Sequence, residues 1–202
     1  MKKEIKNIFT EIYNNNSWKC DESKSGPGSK LSTNKKLLFL LQNFVKENNI
    51  KRIIDCGCGD FNWMKTFNFD LIDSYVGIDI VEPLISENIK KYQTDKIKFE
   101  CKSIVDDLLP DSDLIICKDV LFHLSFDDAL SSLSNFNKTK CNYLLSTNFT
   151  NFKNRDIKSG DWRPINLMSK PFNVGEPISY WDNIEERSDH LSNKSIGIWK
   201  IG

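Results

Sequence analysis

Apolar and polar positions along this chain follow two rhythms. Near the start, Ile5, Ile8, Phe9 and Ile12 recur at helical spacing, which predicts a helix over residues 2–14. The polar stretch NNNSWKCDESKSGPGSK follows, with Gly26, Pro27 and Gly28, and predicts an ordered loop or a mobile lid. Thr33 then stands where it could cap a helix running through LLFLLQNFVKENN to about Asn48. Beyond this point short apolar runs alternate with helical ones. KRIID, SYVGIDI, KIKFECKS, DLIICKD and CNYLLSTN read as strands. FNWMKTF, EPLISENIKKYQ and FDDALSSLSNF read as helices, the second with Pro83 in its first turn. Strands alternating with helices predict a parallel sheet covered on both faces. The unbroken apolar runs LIIC and YLLS suit its centre.

After Asn148 the alternation stops. Residues 149–177 carry Pro164, Pro171, Pro177, Gly160 and Gly175, and predict a long irregular segment. In a compact domain such a segment is usually functional. ISYWDNIEE and KSIGIWKIG then read as two further strands whose short connection suits an antiparallel pair. No internal repeat or linker divides the chain. The reading is one α/β domain: a helix and lid-like loop over 1–32, a core over 33–148, a covering segment over 149–177 and a strand pair over 178–202.

Composition narrows the function classes. The 202 residues are 39 % apolar and 28 % charged, as in a soluble globular domain. Lys plus Arg and Asp plus Glu both number 28, so no global field draws the chain to nucleic acid or to an anionic membrane. The apolar run Leu37–Leu41 is far too short to span a bilayer. No long apolar run follows the basic first residues, so no secretory signal is expected and the expected location is the cytoplasm. Of the cysteines at 20, 56, 58, 101, 117 and 141, most fall in or beside predicted strands, which suits reduced buried thiols. Cys56, Cys58 and His123 do not make a metal site, because no second pair completes a zinc set.

The strongest local signal is IIDCGCGDFNW. A strand ends in Asp55, and a turn with Gly57 and Gly59 follows. Glycines there allow positive φ and close approach of a ligand to the backbone. A helix opening after the turn would offer free N–H groups. Asp79 ends the second strand, 20 residues after Gly59. An acidic residue so placed accepts hydrogen bonds from ribose hydroxyls. Turn and acid together predict a nucleoside cofactor. The dinucleotide pattern G-x-G-x-x-G would want glycine where Asn62 stands, which weighs against an NAD(P)-dependent oxidoreductase.

These residues resemble the class I S-adenosylmethionine-dependent methyltransferases. DCGCGD resembles that family's first motif, D-x-G-x-G, and GIDI its second. CKSIVDDLLPDSDLIICKDVLFHLS resembles the third and fourth. The resemblance covers residues 33–148, and the terminal strand pair matches the family's sixth and seventh strands. It implies a Rossmann-like, mostly parallel seven-stranded sheet with helices on both faces and an antiparallel C-terminal pair. SGPGS, CKDVLFHLS, DWRPINL and PFNVGEP are similar to a bacterial subgroup associated with cell-surface (capsular) polysaccharide modification. Three positions depart from the pattern: Phe61 replaces a third glycine, Ser103 an Asp or Asn, and Lys118 an Arg. The resemblance implies that Gly57 and Gly59 line the methionine part of the cofactor and that Asp55 orders the turn. It places Asp79 and Ile80 at the ribose and adenine, Ser103 and Ile104 beside the adenine, and Lys118 near the methionine carboxylate or sulfonium.

Methyl transfer to a hydroxyl calls for positioning and for a base. Asp119 and His123 are the candidates: four apart, they share a face if a helix opens at the fourth strand's end. Each has a plainer reading, Asp119 as a cap or as a group orienting His123, and His123 as a packing histidine. His190, in a polar loop, reads as structural. Trp18 and Trp162 lie in loops and are candidates for the acceptor. Arg163, made extended by Pro164, could grip a phosphate or carboxylate bidentately, or could pair on the surface with Asp161 or Asp156. The expected reaction is O-methylation of a small acceptor, anionic or nucleotide-linked, that yields S-adenosyl-L-homocysteine. A cofactor-binding module without catalysis is the remaining alternative. Nucleic-acid and membrane partners are not expected, and the sequence does not indicate an oligomeric state.

Overall fold

A computed structural model describes residues 2–182 and 194–201. Seven strands form one sheet: β1 Arg52–Cys56, β2 Ser74–Asp79, β3 Ile97–Cys101, β4 Leu114–Cys117, β5 Tyr143–Phe149, β6 Ser179–Trp181 and β7 Lys194–Lys200. Their order is β3-β2-β1-β4-β5-β7-β6. The first five are parallel, with Ile54 opposite Val76 on one side and Ile115 on the other. β7 runs antiparallel to β5, and β6 antiparallel to β7. The predicted fold class is therefore the observed one. The residues expected to connect the last two strands, and His190 among them, lie outside the described residues.

Side chains alternate across a strand, so a strand buried on both faces must be apolar at every position. Ile53 and Ile54 are both 1 % exposed and belong to different cores. On one face, Ile53, Ile116, Leu145 and Ile198 meet Leu37, Leu41 and Phe44 of helix α2 (Leu31–Glu47) and Leu84 and Ile85 of α3 (Glu82–Tyr92). On the other, Ile54, Ile115, Leu144 and Trp199 meet Leu133 and Phe136 of α4 (Phe126–Phe136). Ile165, Leu167 and Phe172, from the irregular segment, complete this second core. Each large apolar side chain so buried contributes roughly 1.5–3 kcal/mol. Helix α1 (Lys2–Asn14) lies over the cleft end of the sheet and adds Ile5 to the second core and Tyr13 to the first.

Two local expectations change. Helix α2 starts at Leu31, so Thr33 sits inside its first turn, donating from its hydroxyl to the carbonyl of Lys30 at 2.9 Å. FNWMKTF is not an α-helix but a tight turn with a 3-10 segment at Met64–Thr66. The reason is Phe61, whose φ of 60° is incompatible with a continuing right-handed helix. That conformation puts its ring among Phe69, Tyr75, Tyr92 and Phe99, with centroids 5.1–5.9 Å away. Burial of an aromatic cluster offsets the backbone strain.

β1 lies between β2 and β4, and the chain order reverses there. In open parallel sheets, the crevice beyond the strand ends at such a reversal is where ligands bind.

Candidate active site

The first wall of the crevice is the turn after β1. Gly57 has φ 81°, and a Cβ on it would lie 2.3 Å from Cγ2 of Val120. Gly59 has φ 55°, and a Cβ there would lie 2.3 Å from Oγ of Ser25. At either position a side chain would force its neighbour to shift. Beneath the turn, Asp55 is 2 % exposed and accepts a hydrogen bond from the Tyr75 hydroxyl at 2.8 Å. Burial pushes its carboxyl up to about 7, against the pull of that hydrogen bond and of Lys118. Across the crevice, Asp79 accepts from the backbone N–H of Gly59 at 3.2 Å and of Val81 at 3.0 Å. Burial raises this carboxyl while those bonds lower it.

These walls enclose a cleft of about 860 Å³, lined by Gly57, Gly59, Asp79, Ile80, Ser103, Ile104 and Lys118. Of the residues expected at the cofactor, only Asp55 lies behind the wall and not on it. Ser103 lines the cleft, yet its oxygen accepts from the amides of Val105 and Asp106 at 3.2 and 3.3 Å. It shapes the turn after β3 first.

Sequence reasoning expected a lid-like loop here but did not place α1 or residues 24–29 at the cleft. Ile5, Phe9 and Tyr13 of α1, together with Lys24, Ser25 and Ser29, line the same cleft. Asp60 docks this loop, accepting from the Ser23 hydroxyl at 2.9 Å and the Lys24 amide at 3.0 Å. No local pattern marks such a role, because each contact spans some 35 residues or more.

The other end of the cleft is built after β4. Asp119 has φ 59°, so it and His123 do not share an α-helical face; a 3-10 turn covers Leu121–His123. Asp119 accepts from the Thr147 hydroxyl at 2.7 Å, from Lys118 at 2.7 Å and from Lys194 at 2.8 Å. Burial would raise its carboxyl, but the two ammonium groups outweigh burial and hold it well below the usual carboxylate range. Lys118 also donates to the carbonyl of Gly28 at 2.9 Å, which ties the lid loop to this cluster.

His123 stands where two cavities meet. A second cavity, of about 650 Å³, is lined by Trp18, Ser25, Gly28, Asp119, Phe122, His123, Phe149, Trp162 and Lys194, and it shares Trp18, Ser25, Asp119 and His123 with the first. The Trp18 and His123 rings lie 5.4 Å apart. His123 Nδ1 is 2.8 Å from the carbonyl oxygen of Asp161. A carbonyl only accepts, so Nδ1 carries the proton and neutral Nε2 keeps its lone pair. Burial holds the imidazole below its ordinary pKa, against the Asp161 bond and Asp119.

Arg163 corrects an expectation. It is 0 % exposed and lines neither cavity. Its Nη1 donates to the carbonyls of Phe122 and Leu124, and its guanidinium lies 5.2 Å from the Phe126 ring and 6.0 Å from the Phe172 ring. It neither grips an acceptor nor pairs on the surface. Trp162, 38 % exposed, is the residue of this segment that reaches the cavity.

Among the described residues, no helix is long and apolar enough to cross a membrane. No protein-family model matches the chain, and no curated protein matches it. Solved structures do. The N-methyltransferase NodS of Bradyrhizobium japonicum, in complex with S-adenosyl-L-homocysteine, is 11 % identical, with TM-score 0.67 over 94 % of this chain and 98 % of that one. The methyltransferase domain of the bacterial protein CtHen1 is 17 % identical, with TM-score 0.62 over 84 % and 99 %. Magnesium protoporphyrin IX methyltransferase of Synechocystis, with bound S-adenosylmethionine, is 14 % identical, with TM-score 0.60 over 85 % and 81 %. The chain has the fold of the class I S-adenosylmethionine-dependent methyltransferases.

Proposed function

We propose that this protein is an S-adenosylmethionine-dependent methyltransferase that acts on an oxygen of a small acceptor. One observation carries the reading: a cleft lined by the bare turn of Gly57 and Gly59 and by the Asp79 carboxylate meets, at His123, a second cavity with aromatic walls. The residues present fit the cofactor. Asp79 retains acceptor capacity for ribose hydroxyls beyond its two backbone bonds. The bare backbone of Gly57 and Gly59 admits close approach. No α-helix follows the turn to receive a dinucleotide pyrophosphate, which disfavours the oxidoreductase reading.

When bound, S-adenosylmethionine supplies a methyl group on a sulfonium; the S–CH₃ bond breaks as the O–CH₃ bond forms, leaving S-adenosyl-L-homocysteine. From a hydroxyl acceptor, His123 Nε2 takes the proton. Asp119 is tied by Thr147, Lys118 and Lys194 and serves to fix the floor. Trp18, Trp162, Phe122 and Phe149 offer flat apolar faces to the acceptor and keep water away.

The structural neighbours include N- and porphyrin methyltransferases, so the acceptor must be argued from this chain. Its motifs resemble those of the polysaccharide-modifying subgroup, and aromatic walls suit the apolar face of a sugar ring. The acceptor we infer is a sugar hydroxyl or a phosphate-type oxygen on a nucleotide- or phosphate-linked intermediate of cell-surface polysaccharide. The test is a screen of nucleotide-linked sugars and phosphorylated intermediates with methyl-labelled cofactor, beside calorimetric titration with S-adenosyl-L-homocysteine. Label should appear in one acceptor and depend on His123. Failure of S-adenosyl-L-homocysteine to bind would overturn the reading.

A further inference from the structure

The segment Gly160–Arg163 lies along residues 122–124 like a clamp. The amide of Gly160 donates to the carbonyl of His123 at 2.8 Å, and the amide of Arg163 donates to that of Phe122 at 3.1 Å. The Arg163 side chain then turns back to the carbonyls of Phe122 and Leu124. All three carbonyls around His123 are thereby held by one short segment. Between its two anchored ends, the carbonyl of Asp161 meets His123 Nδ1 at 2.8 Å. Ser159 extends the clamp, its hydroxyl accepting from the Ser125 amide at 2.9 Å and contacting Asp128.

A guanidinium in this place is unusual. It is fully buried between two phenyl rings, and its Nε and Nη2 have no partner among the described residues. Burying a charge without a carboxylate is costly. A packing role alone would be filled more cheaply by leucine or methionine. What arginine adds is a guanidinium nitrogen, Nη1, that reaches two carbonyls, one on each side of His123.

We propose that Arg163 is the positioning residue of His123: by pinning residues 122–124 against the Gly160–Arg163 segment, it fixes the imidazole with Nδ1 protonated and Nε2 directed to the junction of the two cavities. Arg163 touches neither cavity and acts only through His123. The inference rests on the reading of His123 as base, but its test does not depend on methyl transfer.

The chain has two histidines, 123 and 190, so nitrogen-15 labelled histidine gives two ring systems, assigned with His123→Gln, and the second serves as an internal reference. Two-bond proton–nitrogen correlation spectra report which ring nitrogen is protonated. The charged groups that face His123 are Asp119 after β4, Lys194 on β7 and Arg163 itself, so spectra are taken well above the imidazole pKa, where the ring is neutral. The wild-type protein should show His123 predominantly in the Nδ1–H form. Arg163→Met, close in size and apolar, should move it at least several-fold toward the Nε2–H form that free imidazoles favour, with His190 unchanged. Arg163→Lys keeps the charge and one donor nitrogen on a shorter stem, and it carries the test if Arg163→Met does not fold; a smaller shift in the same direction is expected. A wild-type Nε2–H tautomer, or an unshifted tautomer in the folded variant, overturns the inference. If the tautomer shifts as stated while His123→Gln retains turnover, the base reading fails and the positioning relationship stands. If the tautomer stays fixed while His123→Gln abolishes turnover, only the positioning inference falls.

Discussion

The carboxylate of Asp79 accepts a hydrogen bond from the backbone N–H of Gly59 at 3.2 Å, joining the end of β2 to the turn after β1 across a separation of 20 residues. Its other oxygen accepts from Val81 at 3.0 Å. One side chain thus shapes both lips of the cleft and presents its remaining lone pairs to it. Each charged hydrogen bond is worth roughly 1.5–3 kcal/mol. Asp79→Ala should lower affinity for S-adenosyl-L-homocysteine at least about tenfold in calorimetric titration. Asp79→Asn, which keeps one acceptor oxygen, should lose less. Equal affinity in all three proteins would refute the ribose role.

The second prediction concerns Gly57 and Val120. Gly57→Ala meets both a positive φ and a Cβ contact of 2.3 Å with Val120. The strained backbone alone costs on the order of 1–3 kcal/mol. Val120→Ala removes the clashing methyls but not the φ penalty. In a double-mutant cycle by chemical denaturation, Gly57→Ala should therefore be partly rescued by Val120→Ala. Strict additivity would mean that the two positions do not press on each other.

Asp55 makes stability depend on pH. Its folded carboxyl is raised from 3.8 to about 7, so the folded state binds a proton more tightly than the unfolded state. The associated stability is fully present below the unfolded value and is lost as pH rises through the folded one. A tenfold difference in proton affinity between the two states corresponds to about 1.4 kcal/mol. Asp55→Asn cannot titrate, and its amide oxygen can still accept from Tyr75. The melting temperature of this variant relative to wild type should therefore rise between about pH 4 and pH 8. A difference that does not change with pH would show that Asp55 is not held in this way.

Asp119 has the opposite sign, because Lys118 and Lys194 lower its carboxyl below the ordinary range. The stability it provides is present above its unfolded value and is lost only in strong acid. Asp119→Asn deprives two nearly buried ammonium groups of this carboxylate. Breaking such a cluster from one side costs roughly 3 kcal/mol. Denaturation at neutral pH should show a loss of that order. A loss below about 0.5 kcal/mol would class the cluster with weak surface pairs.

The two tryptophans should separate the cavities. Trp18 lines both, whereas Trp162 lines only the second. With an acceptor from the screen, Trp162→Ala should raise its KM and leave S-adenosyl-L-homocysteine affinity unchanged. Trp18→Ala should weaken both. If Trp162→Ala weakens only the cofactor, the assignment of the second cavity to the acceptor fails.

The sequence by itself determined the sheet and the turn that forms one wall of the cleft. Apolar runs such as LIIC need only their own period to announce burial on both faces, and a glycine turn with an acid at the end of the next strand is a local pattern with a local cause. Gly57, Gly59 and Asp79 were legible as cleft-lining positions for that reason. What failed locally failed through one residue: the FNWMKTF helix gave way because Phe61 finds its aromatic partners on β2, on β3 and around α3, and so adopts positive φ. The end of the cleft around His123 was decided by tertiary structure alone. The bond of His123 to Asp161 spans 38 residues, that of Asp119 to Thr147 spans 28 and that of Asp119 to Lys194 spans 75. No periodicity reaches so far. Arg163 shows the physical reason most plainly: an extended arginine before a proline has the same sequence whether its guanidinium faces a ligand or two buried carbonyls. Only the packing of Phe126 and Phe172 around it settles which.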